Sequence, residues 1–208
     1  MVRDGYRFVL PLLIMIGISA FFHLTICVII FIVLASFVVF FFRNPSRIIP
    51  DDGPDGRNLI VSPADGKVVK IVRNPDGDPE GGQTISIFLN IFNVHVTRSP
   101  IAGAVKHFEY KRGKFKVAFD EEASSVNEQN IVTFANDDVM LVVKQVAGLI
   151  ARRVICWKKP GDTVERGQLF GLIRFGSRVD VVLPAKANIR VQVGDKVRGG
   201  SSIIGDYP

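Results

Sequence analysis

The chain has 208 residues, a formal charge of +6 at pH 7, 48% hydrophobic residues and two cysteines. That length holds one globular domain plus a small appendage, and a basic balance suits either nucleic acid or an anionic membrane surface. With one long apolar run and no basic stretch interleaved with aromatics, the membrane is the expected partner and nucleic acid is excluded.

The apolar run comes first. From Tyr6 to Phe42 only Arg7 and His23 are ionisable. It is too long for a signal peptide and lacks a small-residue cleavage site. It also exceeds the roughly 20 residues of one untilted span and falls short of two full ones. Gly17, Ser19 and His23 lie near its middle, where a tight turn would fit, while Arg3 and Arg7 precede it and Arg43 and Arg47 follow. Positive charge at both ends predicts a membrane-embedded helical hairpin over residues 1–42 with both ends in the cytoplasm, in preference to a single tilted span or a shallow re-entrant pair. Cys27 lies in this run and Cys156 far from it, with no Cys-x-x-Cys, so neither a disulfide nor a structural zinc is expected.

Residues 43–58 read as a polar linker dense in Pro, Asp and Gly. Beyond it, residues 59–208 read as one mostly β domain of short, β-branched segments punctuated by Gly and Pro. The expected strands are 59–61, 67–72, 83–89, 103–110, 114–117, 130–135, 139–146, 153–156, 168–173, 178–183 and 188–191. Two weak repeats run through this part. Gly161-Asp-Thr-Val-Glu-Arg-Gly167 recurs as Gly194-Asp-Lys-Val-Arg-Gly-Gly200, and Ser62-Pro-Ala-Asp-Gly66 as Ser99-Pro-Ile-Ala-Gly103. The Gly-Asp-x-Val-x-x-Gly turn resembles that of lipoyl and biotinyl carrier barrels, which predicts barrel-sandwich hybrid repeats. No Met-Lys is present to serve as a swinging arm, which argues against a membrane-tethered carrier or binding module.

Few residues in this part offer chemistry. Of the histidines, His95 follows an apolar strand and by default is a satisfied structural residue, while His107 alternates with charged neighbours on a solvated face. Asp65 by default bonds its own turn, and Ser177 would be a strand-edge serine.

Taken together, these residues fall in motifs with a shared source. The run Gly167-Gln-Leu-Phe-Gly-Leu-Ile-Arg-Phe-Gly-Ser-Arg-Val-Asp-Val-Val-Leu-Pro184 resembles the processing segment of phosphatidylserine decarboxylases, where a Gly-Ser bond is cut and the serine becomes a pyruvoyl group. Arg43-Asn-Pro-Ser-Arg-Ile-Ile-Pro50, Pro63-Ala-Asp-Gly-Lys-Val68, Val94-His95, Arg98-Ser-Pro-Ile-Ala-Gly103, Asn127-Glu-Gln-Asn130 and Gln145 to Arg153 resemble further family segments, in order. Longer relatives carry His-x-x-His where this chain has His95 and Arg98.

The resemblance implies the short prokaryotic form of the proenzyme. It implies self-cleavage between Gly176 and Ser177 into a β-chain of residues 1–176 and an α-chain of residues 177–208, forming a heterodimer alone or within a higher oligomer. The pyruvoyl group made from Ser177 would be the cofactor, binding the substrate amine, with no metal and no pyridoxal phosphate. Asp65, His95 and Ser177 would act together: His95 as base and acid, Asp65 orienting it. Arg98, Arg152, Arg153 and Arg178 are candidates for the substrate phosphate. The substrate would be phosphatidylserine, converted to phosphatidylethanolamine and CO2 at the inner membrane, with the catalytic domain on the cytoplasmic face. A pyruvoyl decarboxylase of a soluble amino acid is the alternative, and it has no need of Tyr6–Phe42.

Overall fold

A computed structural model describes residues 1–52, 58–73, 82–113, 126–148, 153–174 and 177–208. The expected strand over 114–117 lies outside them. The chain divides into two compact units, Met1–Ser46 and Arg47–Pro208.

The first unit is a helical hairpin. α1 spans Arg3–Phe21 and α2 spans Thr25–Phe41. The turn between them is set at His23, whose φ of 54° is unusual for a residue with a side chain. Leu24 N–H reaches back to the Ser19 carbonyl at 2.8 Å and His23 N–H to that of Ala20 at 3.0 Å, satisfying orphan carbonyls at the end of α1. Gly17 is not part of the turn; it lies inside α1 with open space beside it. The far ends are tied as well. Val2 N–H donates to the Phe42 carbonyl at 3.0 Å, and the Phe42 ring stacks on Phe8 with centroids 5.4 Å apart. Gly5 is required there, since a Cβ would sit 2.8 Å from both Met1 Sδ and Phe42 Cβ. At 19 residues α1 is about 28 Å long, enough for the roughly 30 Å apolar layer of a bilayer, whereas α2 has 17 residues.

The second unit is built from antiparallel strands: β1 (Asn58–Val61), β2 (Gly66–Arg73), β3 (Gln83–Leu89), β4 (Val96–Arg98), β5 (Gly103–Lys111), β6 (Gln129–Ala135), β7 (Met140–Ala147), β8 (Val154–Cys156), β9 (Thr163–Val164), β10 (Leu169–Ile173), β11 (Ser177–Leu183), β12 (Asn188–Ile189), β13 (Lys196–Val197) and β14 (Ile203–Tyr207). They form an eight-stranded sheet, β13-β2-β3-β11-β7-β6-β5-β9, and two three-stranded sheets, β1-β14-β12 and β4-β10-β8. The mostly-β expectation therefore holds for this unit. β4, β9, β13 and β14 are additions to the expected set. β14 contains Gly205 and Asp206, residues uncommon in strands, and both are buried there. Gly205 lets the Asn188 carbonyl approach, where a Cβ would stand 2.7 Å from its oxygen, and Asp206 is paired with Arg190.

β11 lies inside the large sheet, paired with β3 on one side and β7 on the other. Its residues Val179, Val181 and Leu183 share the core face with Ile85 and Ile87 of β3 and Val143 of β7. Alternation then puts Ser177 on that same buried face.

The sequence repeats are repeats in space. Gly161, Gly167, Gly194 and Gly200 all have positive φ, between 78° and 107°. Gly167 N–H donates to the Ser99 carbonyl and Gly200 N–H to that of Ser62, both at 2.8 Å. Gly161 N–H reaches Val105 and Gly194 N–H reaches Val68, again at 2.8 Å. Ser99 and Ser62 each turn their hydroxyl onto the carbonyl two residues on, at 2.7 Å. The two turns lead into β9 and β13, the opposite edges of the eight-stranded sheet.

Candidate active site

Ser177 opens β11 opposite Leu89 on one side and Ala147 on the other. It is fully buried, and its Oγ has no hydrogen-bond partner among the described residues. Buried hydroxyls are nearly always satisfied, and leaving one unpaired costs on the order of 1–3 kcal/mol. Gly176, on the other side of the bond expected to be cut, lies outside the described residues.

His95 approaches this point along the chain from two directions. Leu89, across from Ser177, leads through a turn at Asn90–Asn93 directly to His95. The His95 carbonyl accepts from Ile173 N–H at 3.0 Å, and Ile173 ends the strand before Ser177. The ring is fully buried, with Nδ1 2.9 Å from the Asn93 carbonyl. A carbonyl can only accept, so Nδ1 carries the proton, and in the neutral ring the lone pair is on Nε2.

Asp65 is differently engaged. Both of its oxygens are held by Arg47 Nη2, at 2.8 and 2.7 Å, and Oδ1 also accepts from Gly199 N–H at 2.8 Å. None of these three bonds is to its own turn, as the default for an Asp there would have it. Ala102 takes the corresponding place in the second copy of the Ser-Pro-x-x-Gly repeat, and the turn forms there without a carboxylate. The fold does not need an acid at 65. Asp65 and His95 thus have separate hydrogen-bond partners, Arg47 with Gly199 for the one and the Asn93 carbonyl for the other.

Of the expected arginines, Arg98 feels the charges of both Arg47 and Asp65. Its Nη1 donates to the Gly167 carbonyl at 2.9 Å, and its Cδ packs where a Cβ on Gly200 would come within 2.9 Å. Burial lowers its pKa from the ordinary value, the positive charge of Arg47 adds to this, and Asp65 opposes it. Arg178 is buried on the face of β11 opposite Ser177, with Nε 3.0 Å from the Asp180 carboxylate. Arg153 is exposed and borders a groove of about 420 Å³ with Tyr110 and Glu128. Arg152 lies outside the described residues. No group of three metal-ligating side chains occurs among the described residues.

Over residues 34–205, the family profile for phosphatidylserine decarboxylase matches this chain. The chain belongs to the phosphatidylserine decarboxylase family. It is 52% identical over 174 residues to the phosphatidylserine decarboxylase proenzyme of Solibacter usitatus, covering 83% of this chain and 80% of that one. The proenzyme of the same name from Desulfotalea psychrophila is 43% identical over 206 residues, 98% and 94% of the two chains. That of Geotalea uraniireducens is 50% identical over 181 residues, 86% and 83%.

Sequence reasoning passed over two features of this family member. In the sequence Arg47 is only a flanking charge and a motif residue, yet in the fold it is the ion-pair partner of Asp65. A buried relay also runs beside the site. Asn130 Nδ2 donates to Gln145 Oε1 at 2.8 Å, and Gln145 Nε2 donates to Thr97 Oγ1 at 2.7 Å. Gly171 leaves room for it, since a Cβ there would stand 2.6 Å from Gln145 Nε2. Its signal is in the chain: Asn130 and Gln145 are amides in strands whose other residues are mostly apolar.

Proposed function

We propose that the chain is a proenzyme that cuts itself at Gly176–Ser177 and then decarboxylates phosphatidylserine to phosphatidylethanolamine and CO2. The observation that carries this reading is the fully buried Ser177 Oγ at the head of a central strand, with no hydrogen-bond partner among the described residues. A hydroxyl held there contributes nothing evident to stability, which supports a role as nucleophile on the bond that precedes it.

The chemistry follows from the chain's own atoms. Ser177 Oγ adds to the Gly176 carbonyl carbon, the Gly176–Ser177 C–N bond breaks, and the Ser177 nitrogen takes a proton, leaving an ester. A base then removes Ser177 Hα, and the Cβ–Oγ bond breaks to release the Gly176 carboxylate. The dehydroalanine that remains hydrolyses to ammonia and a pyruvoyl group at position 177. That group supplies a ketone beside an amide carbonyl, an electron sink for the pair left when CO2 departs. The orphaned oxygen at 177 fits its formation.

His95 is the base in this reading. The Asn93 contact supports it, because it leaves Nε2 as the proton acceptor. Asp65 enters as the carboxylate that orients His95, a role in which it leaves Arg47 and replaces the Asn93 carbonyl as acceptor of the Nδ1 proton. Asp65→Asn then accumulates folded, uncut precursor while Arg47→Ala still cuts, both read by denaturing mass spectrometry. Arg98 is proposed to bind the lipid phosphate, with Arg153, Arg152 and Arg178 as weaker candidates; the buried pairing of Arg178 argues against it.

The hairpin supports a membrane location, since Leu10, Ile14, Ile26, Ile29 and Val33 all project outward from it. We place it in the inner membrane with both ends cytoplasmic, so cysteines introduced at positions 3 and 46 should label from the same side. The matched Gly-Asp turns support a lipoyl-like, barrel-sandwich hybrid architecture. The decisive experiment is denaturing mass spectrometry of purified protein with headgroup analysis after incubation with phosphatidylserine. The expected result is a β-chain, an α-chain with a blocked, carbonyl-bearing N-terminus, and ethanolamine headgroups. A single intact chain would remove the proposal, and two chains acting only on a soluble amino acid would favour the alternative substrate.

A further inference from the structure

Between β3 and His95 the chain makes a turn closed by its own side chains. Asn90 N–H donates to Asn93 Oδ1 and Phe92 N–H to Asn90 Oδ1, both at 2.9 Å. With the backbone so held, Ile91 and Phe92 form the tip and are 37% and 65% exposed. A cavity of about 880 Å³ adjoins this turn, lined by Asn90 and Asn93 together with Lys67, Lys196 and Arg198. These three cations are exposed, and none joins an ion pair among the described residues. Of the nearby acids, Asp65 is neutralised by Arg47, and Asp195 accepts the Gln192 N–H within its own turn.

We infer that this turn and its cationic border are a docking surface for an anionic lipid bilayer, with Ile91 and Phe92 entering the interface and Lys67, Lys196 and Arg198 meeting the headgroups. An aromatic and an aliphatic side chain presented beside unpaired cations match a layer of negative charge over hydrocarbon. A soluble anion would engage the cations and leave Ile91 in water. The turn directly joins Leu89, across from Ser177, to His95, so docking here brings the candidate site to the lipid. The inference deepens the proposed reaction and rests on it for the choice of a bilayer as partner, but it does not require turnover.

The test therefore uses full-length Ser177→Ala protein, uncut and inactive, with Trp157→Phe to remove the single native tryptophan. Phe92→Trp in this background reports depth in phosphatidylcholine vesicles containing phosphatidylglycerol and brominated acyl chains. Emission from position 92 should shift to the blue and fall about two-fold through quenching by the bromines. Combining Lys67→Glu, Lys196→Glu and Arg198→Glu should abolish most of that quenching, with circular dichroism confirming the fold. Met140→Trp is the control: Met140 is exposed at the end of β7 opposite the one that pairs with Ser177, roughly 23 Å along the strand. It should stay unquenched. Solvent-like emission from position 92, quenching that survives the three charge reversals, or equal quenching at 140 would each overturn the docking surface. None of those results bears on whether the unmodified chain cuts itself, which mass spectrometry decides.

Discussion

Two polar groups on the core face of the large sheet are treated in opposite ways. Gln145 of β7 is fully buried, and both ends of its amide are satisfied, by Asn130 on one side and Thr97 on the other. Ser177 of β11 lies across from Ala147, two residues beyond Gln145 on β7, equally buried and with no partner for its hydroxyl among the described residues. The same interior thus pays for one polar group with a network and leaves the other exposed to its neighbours. In the proposed reaction, the difference separates residues that hold the fold from the one that reacts.

Substitutions can break or sharpen that contrast. The largest effect is expected at Ser177: Ser177→Ala should stay a single chain on denaturing mass spectrometry, with cutting lost entirely and urea stability no lower than that of other uncut variants. His95→Ala should slow cutting by about 10²–10⁴-fold, the usual contribution of a positioned base, in a time course of precursor decay. His107→Ala, on the exposed face of β5, should cut at the normal rate.

Gln145→Leu should behave in the reverse sense. It strands Asn130 and Thr97 without partners in the interior, and in the Ser177→Ala background should cost about 2–4 kcal/mol in urea unfolding. If Gln145→Leu were neutral for stability but blocked cutting, the relay would belong to the chemistry and the contrast would fail.

The smallest effect concerns Asp52. The hydrogen bond from Arg166 holds its carboxyl below the ordinary value, against a weaker opposing effect of burial. A depressed folded pKa means stability that is present above about pH 4 and lost as pH falls through the folded value. Asp52→Asn should therefore flatten the acid limb of the stability curve, by under about 1 kcal/mol because the pair is largely solvent-screened.

Much of this molecule was legible along the chain. Local spacing is a local property, so the apolar run at residues 6–42, the six long strands of the large sheet and the Gly-Asp turns could all be read where they stand. The order of the family motifs likewise marked Ser177, His95 and Asp65. What failed locally failed for a stated reason: β14 carries Gly205 and Asp206, turn residues by composition, and is a strand because β1 and β12 pair with it on either side and Arg190 meets Asp206. The partners of each site residue were decided by tertiary structure alone. Arg47 lies far from Asp65 in sequence, and no spacing rule joins them. Nor could sequence show that Ser177 would be buried on both sides between β3 and β7 with its hydroxyl unpaired, because hydrogen-bond satisfaction depends on which strands become neighbours and in what register.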